Sequence, residues 1–158
     1  MIYEFCAENV TLLEKAMQAG ARRIELCDNL AVGGTTPSYG VTKAAVELAA
    51  NYDTTIMTMI RPRGGDFVYN DLEIAIMLED IRLAAQAGSQ GVVFGVLTAD
   101  KKLDKPNLEK LIAASKGMEI VFHMAFDELS DNDQLEAIDW LSQAGVTRIL
   151  TRAGVSGD

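Results

Sequence analysis

"QAGARRIEL" (residues 18–26), "QAGSQGVVF" (86–94) and "QAGVTRILT" (143–151) are three copies of one joint. Each closes a stretch with helical periodicity on Gly20, Gly88 or Gly145, where a residue at positive φ is needed to stop a helix. An apolar or β-branched run begins three or four residues later. A helix-to-strand joint used repeatedly predicts a chain that alternates between the two.

The reading between the joints places strands near Ile2–Cys6, Arg23–Cys27, Thr54–Ile60, Gly91–Val96, Glu119–Ala125 and Thr147–Leu150. Helices fall near Val10–Ala19, Tyr39–Asn51, Asp71–Ala87, Asn107–Ser115 and Asp131–Ala144. In the helix from Asp71, residues Ile74, Met77, Leu78, Ile81 and Ala85 form one apolar stripe, with Glu73, Glu79 and Asp80 off it. Ser130 or Asp131 caps the last helix.

Strict alternation defines an α/β protein with a parallel sheet and right-handed crossovers. An open sheet that binds a dinucleotide would carry G-x-G-x-x-G at its first strand-to-helix turn, and "CAENVT" stands there instead. Barrel enzymes gather their polar working residues at the C-terminal ends of the strands, as this chain does. A closed barrel needs eight strands and about 250 residues; the 158 residues here carry six, with "RAGVSGD" directly after the sixth. The expectation is therefore a (β/α) TIM-type barrel truncated after about six strands, one domain over residues 1–158. A six-stranded open α/β sheet is the alternative.

Composition narrows the partners. A net charge of -9 and a pI near 4.6 oppose binding to nucleic acid or an anionic membrane. "MIYEFCAENV" has no basic leader, and no run approaches the roughly 18 apolar residues of a membrane span. The expected location is the cytoplasm, where Cys6 and Cys27 stay reduced.

Candidate site residues lie at strand ends. "EFCAEN" from Glu4 and "ELCDNL" from Glu25 read as copies, 21 residues apart. Side chains two apart share a strand face, so Glu4 points with Cys6 and Glu25 with Cys27. If the strands are parallel neighbours, the thiols approach one another. "MIRPRGG" puts Arg61 at the end of the third strand, where a guanidinium balances Glu4 and Glu25 or grips an anion. The loop "LAVGGTTPSYG" offers Gly33 and Gly34 ahead of a helix start, and these two with Arg63 are the candidates for holding a ligand or cofactor. "EIVFHMAFD" sets His123, Ala125 and Asp127 on one strand face. Glu25, His123, Arg61 and Asp127 are the candidate catalytic set. A buried polar layer in which Glu4, Glu25 and Arg61 only neutralise one another accounts for the same pattern.

"EFC", "ELCDNLAVGGTTPSYG", "MIRPRGGDFVYN", "VFHMAFD" and "RILT", in that order from Glu4 to about Thr151, resemble the CutC family of copper homeostasis proteins. The resemblance implies a (β/α) barrel and a Cu(I) site on the cysteines that match Cys6 and Cys27, with copper as cofactor and partner. Met57 and Met59 are further soft ligands if they face the same space. The expected function is thus a cytosolic copper homeostasis protein. The alternative is a barrel enzyme acting on a small anionic or sugar-like molecule, with Glu25 or His123 as acid or base and Arg61 as anchor. Exposed strand edges of an incomplete barrel would also favour a homo-oligomer.

Overall fold

The structure, a computed structural model, describes residues 1–151; the stretch "RAGVSGD", read above as following the last strand, lies outside the described residues. Helix and strand alternate as the joints require: β1 (Glu4–Glu8), α1 (Leu13–Gln18), β2 (Arg23–Cys27), α2 (Tyr39–Ala49), β3 (Thr55–Met59) and α3 (Asp71–Ala87). There follow β4 (Gly91–Phe94), α4 (Lys105–Ala114), β5 (Glu119–Phe122), α5 (Asp131–Ala144) and β6 (Arg148–Ile149). The three joint glycines hold φ of 108°, 95° and 101° at Gly20, Gly88 and Gly145. Asn70 and Glu73 form a reciprocal capping box on α3, and Ser130 rather than Asp131 caps α5.

All neighbouring strands pair in parallel, in the order β1-β2-β3-β4-β5-β6. A doubly wound sheet reverses its strand order part way across; this one never does, and it curls through 181° into an open (β/α) barrel. Alternation along the strands separates two environments. Ile24, Leu26 and Ile56 face outward onto Leu13, Met17, Ala45 and Ala49 of the covering helices. Val92, Phe94, Ile120 and Phe122 do the same against Ile74, Met77, Ile81 and Leu111. Each such side chain contributes roughly 1.5–3 kcal/mol on burial. The inner face carries Cys27, Met57, Met59, Val93 and Val121.

β1 lies two residues further along the chain than its pattern suggests, and the pairing differs with it. Glu4 stands opposite Arg23, Cys6 opposite Glu25 and Glu8 opposite Cys27. A slip of two leaves every side chain on its original face. It exchanges a Glu4–Glu25 carboxylate pair for an ion pair between Glu4 and Arg23, 3.4 Å apart.

Candidate functional site

β2, β3 and the segments that follow β2, β3, β5 and β6 border a cavity of about 380 Å³ on the C-terminal side of the sheet, within the roughly 300–1,000 Å³ range of ligand pockets. Glu25, Arg61, His123, Asp127 and Glu128 supply its polar lining, and Val32, Met59, Phe67 and Leu150 its apolar walls. These chemical groups come from β2 and from the segments after β3 and β5, where barrel enzymes place theirs.

His123 follows β5 and caps a 3₁₀ turn, Met124–Glu128, by accepting the Ala125 N–H on Nδ1 at 3.1 Å. A ring whose Nδ1 accepts carries its proton on Nε2, and this neutral form is enforced: burial, then the positive charge of Arg61, holds the imidazole down at about 3. The Nε2–H is buried without a hydrogen-bond partner among the described residues. Leaving such a group unmatched costs about 1–3 kcal/mol. The ring has its place because residue 95 is glycine: a Cβ there would stand 2.6 Å from Cε1 and 2.9 Å from Nδ1. Phe67 packs against it with ring centroids 4.9 Å apart.

Glu25 is 6% exposed. Burial, reinforced by the charge of Glu4, raises its carboxyl to about 7. The Cys27 thiol faces it, with Sγ 4.0 Å from Oε1. At neutral pH this carboxyl is divided between its two protonation states, which suits a group that must both take and return a proton.

Arg61 makes no ion pair with a carboxylate among the described residues. Its Nη1 donates to the carbonyls of Val32 (2.6 Å) and Gly34 (3.0 Å), and its Nη2 to that of Gly65 (2.8 Å). The guanidinium therefore ties together the loops after β2 and β3, and Nε alone stays buried without a partner among the described residues. Thr36 completes the tie by accepting the Arg61 N–H at 2.8 Å.

The other expected residues divide. Gly33 reaches the cavity, whereas Gly34 packs on Cys27, whose Sγ would be 3.0 Å from a Cβ there. Arg63 is turned away: it donates to Glu73 at 2.6 Å and to the Val68 carbonyl at 2.7 Å, bracing the loop onto the start of α3. Asp127 enters the cavity from the 3₁₀ turn rather than from an extended strand, and its carboxylate accepts from the Thr151 hydroxyl at 2.5 Å. Glu128, Phe67 and Gly95 escaped the sequence reading. A continuous strand through Ala125 hid Glu128, while the break in "GVVFGV" at Gly95 was a signal that went unused.

A half-closed (β/α) barrel with a dehydrated carboxyl, a neutral histidine and an arginine-tied loop pair at its mouth belongs to the TIM-type class. The profile of the CutC family matches residues 1–157, and the chain belongs to the CutC family. It is 55% identical over 157 residues to the family protein CutC of Enterococcus faecalis, covering 99% of this chain and 75% of that relative. The crystal structure of the CutC protein from Streptococcus agalactiae superposes with a TM-score of 0.94 at 51% identity, over 99% of this chain and 75% of that one. An archaeal fructose 1,6-bisphosphate aldolase, at 16% identity, shares the fold with a TM-score of 0.63 over 87% of this chain and 52% of its own.

The expected copper function, cofactor and partner do not stand. Among the described residues no three or more His, Cys, Asp or Glu side chains are grouped to hold a metal ion. The register puts Cys6 opposite Glu25, so the two cysteines sit diagonally, about 8 Å apart between Cα atoms from strand spacing and rise. Cys6 is exposed and Cys27 buried, and they form no disulfide. Partial loss of water around the sulfur, then Glu25, pushes the Cys6 thiol up to about 11, and full burial, then Glu25, pushes Cys27 up further. A Cu(I) site needs thiolates, and this environment favours thiols. Met57 offers no thioether to the cavity either, since its end fills the space over Gly91, where a Cβ would meet Sδ at 2.7 Å.

Proposed function

We propose that the chain is part of a barrel enzyme acting on a small sugar-like molecule, with Glu25 as the group that carries the proton. The observation that carries this reading is the placing of a buried, near-neutral carboxyl and a neutral histidine on one cavity. Structure alone would not favour either group there, because an apolar filling is usually as stable. Arg61 serves as a loop tie and a source of positive charge. With three of its donors held by carbonyls, it is a poor grip for an anion, while Asp127 and Glu128 on the rim suit the hydroxyl groups of a neutral polyol.

A thermal-shift screen of neutral aldoses, ketoses and polyols against simple organic acids tests the reading. A ligand at 100 times its Kd stabilises by about 2.7 kcal/mol, or roughly 5–10 °C for a chain of this size. Sugars raising the Tm, with the response lost in Asp127→Asn, is the expected result. No shift with any neutral sugar overturns it. No helix among the described residues is long and apolar enough to cross a membrane.

A further inference from the structure

Two buried side-chain nitrogens of residues lining the cavity have no hydrogen-bond partner among the described residues, and both are N–H donors only. His123 has spent Nδ1 on the Ala125 N–H, so only the Nε2–H remains. Arg61 keeps its Nε–H and one Nη2–H after three carbonyls are served, with the Tyr69 hydroxyl beside its guanidinium. Both side chains are 5% exposed and both border Phe67, with the Arg61 Cζ 5.1 Å from its ring centroid and the His123 ring 4.9 Å from it. A hydroxyl would bring a hydrogen for which neither has an acceptor. A carbonyl oxygen, with two lone pairs and no hydrogen, matches the His123 Nε2–H, and a developing oxyanion matches it better. On the same cavity, Glu25 accepts from the Cys27 thiol and makes no ion pair with a cation among the described residues.

We propose that the cavity takes an open-chain hydroxy-carbonyl compound, an aldose or ketose, whose carbonyl oxygen accepts the Nε2–H of His123 while Glu25 moves a proton at the adjacent carbon. This rests on the sugar-like reading above and names the bond that reacts. The Glu25 carboxylate takes the proton from the carbon next to the carbonyl. The C–H electron pair becomes the C=C bond of an enediolate, and the carbonyl pair moves onto oxygen, held by His123. The Glu25 carboxylic acid then returns the proton. Return to the same carbon and face, after the acid has exchanged its proton with solvent, gives hydrogen exchange. Return to the former carbonyl carbon, with a hydroxyl proton passing between the two oxygens, gives aldose–ketose isomerisation. One carbon is oxidised and its neighbour reduced within the molecule, so no further reactant is consumed. A neutral imidazole is the right partner, because it stabilises the enediolate without first surrendering its own proton.

The test incubates the protein with glycolaldehyde, dihydroxyacetone and a set of pentoses and pentuloses in D₂O, following the protons next to the carbonyl by NMR. Expected is enzyme-dependent loss of one such signal, rising with pH to a plateau through a single ionisation near 7. Glu25→Gln slows it by roughly 10²–10⁴-fold and keeps the thermal shift with the same sugar. His123→Gln, which retains an N–H donor, slows it less than His123→Ala. Circular dichroism establishes that each variant is folded. Sugar binding without exchange above the protein-free rate overturns the proton-transfer inference and leaves the sugar-like reading intact. Undiminished exchange in Glu25→Gln overturns the assignment of Glu25, and absence of binding by any sugar overturns both.

Discussion

Glu25→Gln replaces the buried carboxyl by a neutral isostere, and the consequence for stability follows from pH. In the folded chain burial, then Glu4, raises the carboxyl to about 7 from its ordinary 4.5; the unfolded chain returns it to about 4.5. The native state therefore holds the proton more tightly. This contribution is full below about 4.5, is lost as pH rises toward 7, and stays lost above. Integrated over that window the linkage amounts to about 3 kcal/mol, or roughly 6–12 °C at 2–4 °C per kcal/mol. His123 acts with the opposite sign. Held at about 3 when folded, against 6.5 ordinarily, it takes a proton in the unfolded chain first, so stability falls as pH drops below 6.5. Between about 4.5 and 6.5 the two slopes oppose one another in the wild-type chain. In Glu25→Gln the histidine slope stands alone. Calorimetry at fixed ionic strength from pH 4.5 to 8 should show the variant matching the wild type at pH 4.5 and melting several degrees higher at pH 8. Parallel Tm curves for the two proteins across that range would refute the burial argument for Glu25.

Gly95→Ala sets a Cβ 2.6 Å from the His123 ring; it should destabilise by about 1–3 kcal/mol in urea unfolding and abolish the thermal response to any cavity ligand. Arg61→Met strips three loop carbonyls of a charged donor. With such bonds worth about 1.5–3 kcal/mol each, denaturant titration should show a loss of at least about 3 kcal/mol, and protease should cut the loops after β2 and β3 sooner. At pH 8 iodoacetamide should alkylate Cys6 roughly 10²-fold more slowly than a free cysteine, because its thiol titrates near 11. Cys27 should react only after unfolding. Mass spectrometry of the alkylated peptides reads both.

Much of the arrangement was legible in the sequence because its causes are local. Gly20, Gly88 and Gly145 end helices by a backbone conformation that depends on one residue. The period of two along "RIELC" put Glu25 and Cys27 on the inner face of β2, and nothing elsewhere in the fold changes that parity. Glu25, Arg61, His123, Asp127 and Gly33 all stand at strand ends or in the loop after β2 in the sequence pattern, and the structure brings them to one cavity. Arg63 had the same local look and points elsewhere, since Glu73 of α3 captures it.

By itself, then, the sequence determined the alternation, the parallel α/β class and the inward face of β2, while the strand order that never reverses decided for a barrel over an open sheet. Tertiary structure decided the register, because a slip of two residues preserves the alternating pattern, and contacts across strands such as Glu4–Arg23 go with the pairing adopted. It decided what Arg61 holds, because the acceptors are main-chain carbonyls that no side-chain pattern reveals. It also decided the chemistry of the site. The tautomer of His123 depends on a backbone N–H in a 3₁₀ turn, and the titration of Glu25 on how completely neighbouring strands and loops exclude water from it. Both are properties of surroundings assembled from distant parts of the chain.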